Sequence, residues 1–263
     1  MKLIHEPLPR RTEAVLGVVG VLGTALAFEV LIRTHVISGV GLPLPSAVAE
    51  QSWSLLGDGQ FWTQILFTLR EWMLGLLIAA IVGVVLGGLM GASRIVFTMF
   101  SLPVEILRPL PAIAVGPLLV LLLGSGMLPL SLTVAIACTW PILYNAMYAA
   151  RAVDPVAIET AHTMRISALG IAAKVRLPAA LPFMFTGVRV AASIGLIVAV
   201  SAELLFGTGT GIGGYILLAS TSASNLDAVY AATLVAGVLG VLVSIVFALA
   251  DRLLFGWKVG LAQ

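Results

Sequence analysis

The chain has 263 residues, 60% of them hydrophobic and 10% charged, with a mean hydropathy of +1.12 and a formal net charge of +2. An average soluble domain carries about 25% charged residues, and a folded globule must still cover itself with polar groups, so a water-soluble core is excluded. The three Lys and eleven Arg are scattered singly, without the basic run that would point to nucleic acid.

Lys2, Arg10 and Arg11 precede an apolar run over 14–32. Ala25-Leu26-Ala27 offers an A-x-A cleavage site, but the run continues past it to spanning length, so an uncleaved first helix is expected. A spanning helix needs about 20 mostly apolar residues. Six stretches qualify: 14–32, 70–92, 104–123, 128–149, 183–206 and 228–250. The third is interrupted by Pro109, Pro111 and Pro117 and reads as a kinked helix facing protein. A β-barrel is rejected, because these runs are continuous and lack alternating polarity.

The expected fold is an all-α, polytopic membrane domain covering 1–263, with about six spans. Lys and Arg fix the orientation. With the N-terminus in the cytoplasm, that side receives Lys2, Arg10, Arg11, Arg94, Arg108, Arg151, Arg165, Lys174, Arg176, Arg252 and Lys258, while the outer side keeps Arg33 and Arg70. Both termini, 1–13 and 251–263, are then cytoplasmic. An outer loop over 33–69 carries an amphipathic stretch through Trp53, and a cytoplasmic loop covers 150–182.

That second loop is the most informative segment. Asp154-Pro155 is a helix start, with Asp as N-cap and Pro at the first helical position; the helix runs to about Met164. Ser167 caps a second short helix, and Pro178 and Pro182 lead into the fifth span. The pair presents Glu159, His162 and Arg165 to the cytoplasm, or serves only to anchor the loop at the interface.

Glu159-Thr160-Ala161-His162-Thr163-Met164-Arg165, followed by Val175-Arg176-Leu177-Pro178, resembles the E-A-A loop of ABC importer permeases. The family pattern is E-A-A, three residues, G, nine residues, then I-x-L-P. Its spacing is intact here; Thr160 replaces Ala, Arg165 replaces Gly and Val175 replaces Ile. Leu44-Pro45-Ser46-Ala47-Val48, Thr68-Leu69-Arg70, the glycines from Gly83 to Gly91, Ser93-Arg94, Glu105 to Pro111, Gly187-Val188-Arg189, Ala202-Glu203-Leu204 and Trp257 are similar to the nitrate/sulfonate/taurine branch. The resemblance covers about 40–258.

The resemblance implies a type I (MetI-like) importer permease in a bacterial inner membrane. Two copies would join two separate ATPase subunits and an external substrate-binding protein. The loop helix would dock on an ATPase, with Asp154, Pro155, Glu159, Thr160, Ala161, His162, Arg165, Leu177 and Pro178 as coupling residues. Substrates in that branch are small, often anionic solutes. At position 165, Gly would supply a positive-φ corner at little cost. Arg reaches that corner only with strain, so either the corner is reshaped or Arg165 pairs with an acidic group on the ATPase.

No cofactor is expected in this chain. Lys2, Lys174 and Lys258 form no Walker A motif, so ATP would be bound and hydrolysed by the partner, and this subunit is expected to be non-catalytic. Gly209-Thr210-Gly211-Ile212-Gly213-Gly214 matches G-x-G-x-x-G but lacks the βαβ context of a nucleotide fingerprint; it reads as an outer turn with close backbone packing. His5, His35 and His162 have no metal-ligand spacing, and Cys138 reads as a small buried hydrophobe. Charges inside spans point to function by default. Glu105 and Arg108 lie three apart and can pair, Arg189 reads as an anchor, and Glu29 reaches the outer interface. Glu203 either faces a pathway or braces the Gly-rich turn. The alternative to an importer subunit is an ATP-independent secondary transporter or channel, which calls for intramembrane relays and inverted repeats; neither is evident.

Overall fold

A computed structural model describes residues 10–37, 42–206, 209–221 and 226–256. Lys2, His5, Gly41, Trp257 and Lys258 lie outside these ranges, as does the end of the tail. Helix is the regular structure throughout the described residues. It runs α1 (Arg10–Arg33), α2 (Pro45–Gly57), α3 (Gly59–Ala92), α4 (Arg94–Leu107), α5 (Ala112–Leu123), α6 (Met127–Arg151), α7 (Pro155–Thr163) and α8 (Ala168–Ile171). A single π-helical turn, Ala172–Arg176, leads into α9 (Leu177–Phe206); α10 (Gly211–Thr221) and α11 (Leu226–Phe255) follow. Five helices are long and apolar enough to cross a membrane, six if α4 and α5 count together.

The centre is a stack of α3, α6 and α9. Small residues let the backbones approach where lipid supplies no driving force between helices. A methyl group added at Gly75 would meet Ser131 and Val134, one at Gly83 would stand 2.9 Å from Ile142 Cβ, and one at Gly91 would meet Met147 and Ala150. These contacts advance together along both chains, so α3 and α6 run parallel. On the other side, Gly187 meets Asn145 while Gly195 meets Cys138 Sγ, which makes α9 antiparallel to both. Trp72, Leu76, Val134, Cys138, Ile142 and Leu196 form the core of this stack. Trp72 Nε1 donates to the Ala192 carbonyl at 2.9 Å.

A second cluster, Leu55, Phe61, Ile65, Ile212, Ile216 and Ala231, joins α2, the start of α3, α10 and α11 at one end of the bundle. A third, Met90, Val104, Leu143 and Met147, seats α4 at the other end. The helix α1 is almost wholly exposed. Its hold on the rest is a latch: Glu29 accepts the Ser46 amide (3.0 Å) and hydroxyl (2.8 Å) at the start of α2, and pairs with Arg33 at 2.6 Å.

Three expectations change. The helix of the second span begins at Gly59, eleven residues before the apolar run. Its first turns carry Gln60, Thr63 and Gln64 and pack against protein, which a hydropathy window cannot register. The third span is not one kinked helix: α4 and α5 meet at 93° across Arg108–Pro111, because Pro109 and Pro111 each remove a backbone donor, whereas Pro117 is absorbed within α5. Glu105 and Arg108 do not pair. Glu105 is exposed, and Arg108, just past the end of α4, lays its guanidinium 4.8 Å over the Tyr144 ring. At the same end Arg151 stacks 4.4 Å over Phe97 and donates to the Met90 carbonyl.

Close packing along α3 is directly testable. A methyl at Gly87 would collide with the Leu143 carbonyl, whereas Gly88 faces open space. Gly87→Ala is expected to destabilise the detergent-solubilised chain by about 1–3 kcal/mol, with Gly88→Ala neutral; paired thermal melts provide the check.

Candidate functional site

Two sites emerge, at opposite ends of α9. The first is the elbow between α6 and α9. Asp154 caps α7, its carboxylate accepting the Val156 amide at 2.9 Å, with Pro155 at the first turn. Ser167 Oγ accepts the Gly170 amide at 3.2 Å and starts α8. Unlike the expected pair of separate short helices, α8 passes through the π turn directly into α9, which begins at Leu177 with Pro182 already inside it. The nearest neighbour of α7 is α8, so the helix stands clear of the bundle.

The corner between α7 and α8 keeps a glycine geometry without glycine. Arg165 has φ +55. The Arg165 amide donates to the His162 carbonyl (2.9 Å) and the Ile166 amide to the Ala161 carbonyl (3.1 Å). Those two bonds, with a left-handed residue between, constitute a Schellman motif. Of the two readings offered for Arg165, a reshaped corner is therefore excluded: the corner forms, at a cost of about 1 kcal/mol in left-handed strain.

Asp154, Pro155, Glu159, Thr160, His162, Arg165, Leu177 and Pro178 are all exposed, together with Val156, Met164 and Leu169, the last 81% exposed. Ala161 is the exception at 4%. It lies inside the elbow with Ile171, also buried, so its side chain supports the loop's own packing while Glu159 and His162 face outward.

The second site is the start of α10. Helix N-termini leave amides without intrahelical partners, and here these lie inside the bundle. The Gly211 amide donates to Gln64 Oε1 (2.7 Å), that of Ile212 to Thr68 Oγ1 (2.9 Å), and that of Gly213 to Glu203 Oε2 (2.8 Å). Thr68 in turn donates to Glu203 Oε1 at 2.7 Å. Glu203 is fully buried and braces the Gly-rich segment, one of the two roles open to it. Gly209 (φ +68) and Gly211 (φ +80) make the turn, and a Cβ on Gly211 would collide with the Glu203 carboxylate. Glu71, one helical turn from Thr68, is likewise fully buried; next to Arg70 at the edge of an apolar run, it carries no signal of that burial in the sequence. Arg189, at the opposite end of α9, lies 3.9 Å from Asp251 of α11. Between α9 and α11 runs an open groove of about 570 Å³ whose polar lining is Ser193, Ser201, Thr233 and Ser244.

A family model described as the binding-protein-dependent transport system inner membrane component matches residues 75–256, from mid-α3 to the end of α11. The chain belongs to that family. It is a multi-pass inner-membrane permease of the ABC transporter type. Among its relatives, the nitrate import permease protein NrtB of Leptolyngbya laminosa is 32% identical over 84% of this chain and 83% of its own length. The taurine transport system permease protein TauC of Escherichia coli K12 is 30% identical over 77% and 74% respectively. NrtB of Synechocystis is 28% identical over 89% of each chain.

Both sites can be probed without assaying transport. Arg165→Gly is expected to keep the corner and stabilise it by about 1 kcal/mol, whereas Arg165→Pro loses both the donor and the positive φ. Slowed amide exchange at Ile166 in the first variant and fast exchange in the second would establish the motif. Thr68→Val leaves the Ile212 amide and one Glu203 oxygen unpaired, and should cost about 2–4 kcal/mol in thermal unfolding.

Proposed function

We propose that this permease is the non-catalytic membrane subunit of an importer. It would pair with a second copy and couple through the 150–182 loop to two separate ATPase subunits that bind and hydrolyse ATP. An external binding protein delivers a small anionic solute. The observation that carries the coupling is the elbow: a short helix capped at both ends and set clear of the bundle, with Glu159 and His162 exposed and making no side-chain hydrogen bond among the described residues. A rigid knob joined to α9 through one π turn is suited to receive a push and pass it to a membrane helix. The elbow end also gathers Arg94, Arg108, Arg151, Arg165, Lys174, Arg176 and Arg252, which supports a cytoplasmic location under the positive-inside rule. Both termini would then be cytoplasmic as well.

The anionic solute rests on the relatives' names: nitrate is a small oxyanion, and taurine, a zwitterion at neutral pH, carries an anionic sulfonate group. The hydroxyls of the α9–α11 groove, Ser193, Ser201, Thr233 and Ser244, are the donors such a solute would meet on one wall of the pathway.

Glu159 is exposed and makes no side-chain contact among the described residues, so Glu159→Lys should leave the fold intact. Its expected effect is at least a tenfold weaker association with the ATPase, read by co-purification from native membranes, with a parallel fall in ATP-dependent uptake of nitrate or taurine by reconstituted vesicles. Wild-type chain that moves either solute without ATP or any ATPase would instead identify a secondary transporter.

A further inference from the structure

Helix α4 has three faces, and only one of them meets the rest of the protein. Val104 is buried and Phe97 partly so, both packed with Met90, Leu143 and Met147. Ile95, Met99, Leu102 and Ile106, spaced four, three and four apart, form a second face and are 60–74% exposed. Arg94, Thr98, Ser101, Glu105 and Arg108 repeat that spacing one position earlier, which sets a polar stripe beside the apolar one.

The slant of α4 follows from its two ends. Near its start Arg151 of α6 stacks over Phe97, and just past its end Arg108 stacks over Tyr144 of α6. Tyr144 to Arg151 is a rise of about 10 Å along α6, whereas Phe97 to Arg108 is about 16 Å along α4. The helix therefore crosses α6 obliquely, and α5 leaves it at 93°. Its 14 residues, laid at that slant, cannot cross a hydrocarbon core about 30 Å thick.

An exposed helix with polar and apolar residues on separate faces belongs at a membrane–water interface, where each face finds its own solvent. In hydrocarbon the stripe from Arg94 to Arg108 would lack partners; in water the four apolar side chains would. Charge around the helix selects the lipid. Arg94 is exposed, and neither it nor Arg108 nor Arg151 is in an ion pair among the described residues. Against these three cations α4 sets one carboxylate, Glu105. An arginine stacked by its flat side on a ring keeps N–H groups at its edge, the geometry that takes a phosphate. A second copy is a poorer occupant of the apolar stripe, because self-pairing of α4 about its midpoint would bring the Arg94 and Arg108 ends together.

We infer that α4 is an in-plane membrane-surface helix that docks anionic phospholipid in the leaflet at the elbow end. Its apolar stripe lies among the acyl chains, and Arg94, Arg108 and Arg151 hold the headgroup phosphates. The inference does not depend on the ATPase, on the solute or on which side of the membrane the elbow faces.

The test uses the full chain in nanodiscs of phosphatidylglycerol and phosphatidylcholine in equal parts. Nitroxide labels are placed at Met99→Cys and, separately, at Thr98→Cys; Cys138 is buried and stays unlabelled. The Met99 label should collide more with oxygen than with a water-soluble nickel chelate, and the Thr98 label the reverse. Oxygen-dominated collisions at both positions would mean a helix sunk in hydrocarbon, and nickel-dominated collisions at both a helix in water; either overturns the assignment. So does a Met99 label shielded from oxygen and dipole-broadened, since a second copy would then cover the stripe. Lipid preference is read separately, by mass spectrometry of the phospholipid that stays bound through mild detergent exchange. Phosphatidylglycerol should be retained in excess, and Arg94→Gln should cut that excess about fivefold while Arg94→Lys keeps it. Equal retention of the two lipids by the parent, or equal loss in both variants, would remove the headgroup site.

Discussion

A helix that begins inside a membrane protein exposes its first amides to neither water nor a preceding turn, and the end of the bundle that holds α10 is arranged around that difficulty. The first three amides of α10 are met by Gln64, Thr68 and Glu203, side chains from two other helices. Each buried unpaired amide would cost on the order of 1–3 kcal/mol, so α10 can start only where α3 and α9 hold those three residues in register. The glycines follow from the same requirement. Side chains at Gly211 and Gly213 would occupy the space of the Glu203 carboxylate and the Val200 carbonyl, so the carboxylate and the small residues that approach it depend on each other. The Gly-rich segment is a cap receptor, and its likeness to a nucleotide fingerprint is a coincidence of spacing.

This arrangement ties the two sites together through one element. Between elbow and cap, α9 runs as a single α-helix of 30 residues, about 45 Å long. The irregularity sits at its start, where the π turn Ala172–Arg176 and Pro182 weaken the regular hydrogen-bond ladder. Bends concentrate at π turns and prolines. The helix therefore has a compliant base next to the elbow and a stiff shaft above it, locked against α6 at Gly187 and Gly195. A displacement of α7 is best absorbed as bending at that base, since the shaft is held within the α3–α6–α9 stack.

Composition and apolar runs were enough to read the spans and the fold class, because lipid demands long stretches of one character. They misjudge whatever is covered by protein. The early turns of α3 are too polar for a hydropathy window, yet they pack against α2 and α10, so Gly59 and not residue 70 starts that helix. Pro109 and Pro111 announced a break, but its 93° angle is set by tertiary packing that no local pattern reports. At the elbow, Asp154 and Ser167 were legible because a cap is a local interaction. The corner was legible only through the place of Arg165 in the spacing pattern, since arginine itself carries no turn signal. Glu71 was the hardest to see. Whether a carboxylate faces water, a partner or a closed core is a tertiary fact, and nothing local to Glu71 reports it.

Not every contact in the molecule is equally tight, and the differences follow function. The α3–α6–α9 stack has backbones in contact through glycine and alanine, leaving no room for relative movement short of separation. By contrast α1 is tied to α2 by Glu29, and α7 touches little besides α8, so both can shift at small cost. Glu203 lies between these extremes, inside the rigid stack but at the joint with α10. Apolar replacement of its carboxyl would remove the acceptor for Gly213. A buried carboxyl is retained there because a helix start in that position needs acceptors for its amides, and Thr68, Gly211 and Gly213 around it are small enough to accommodate it.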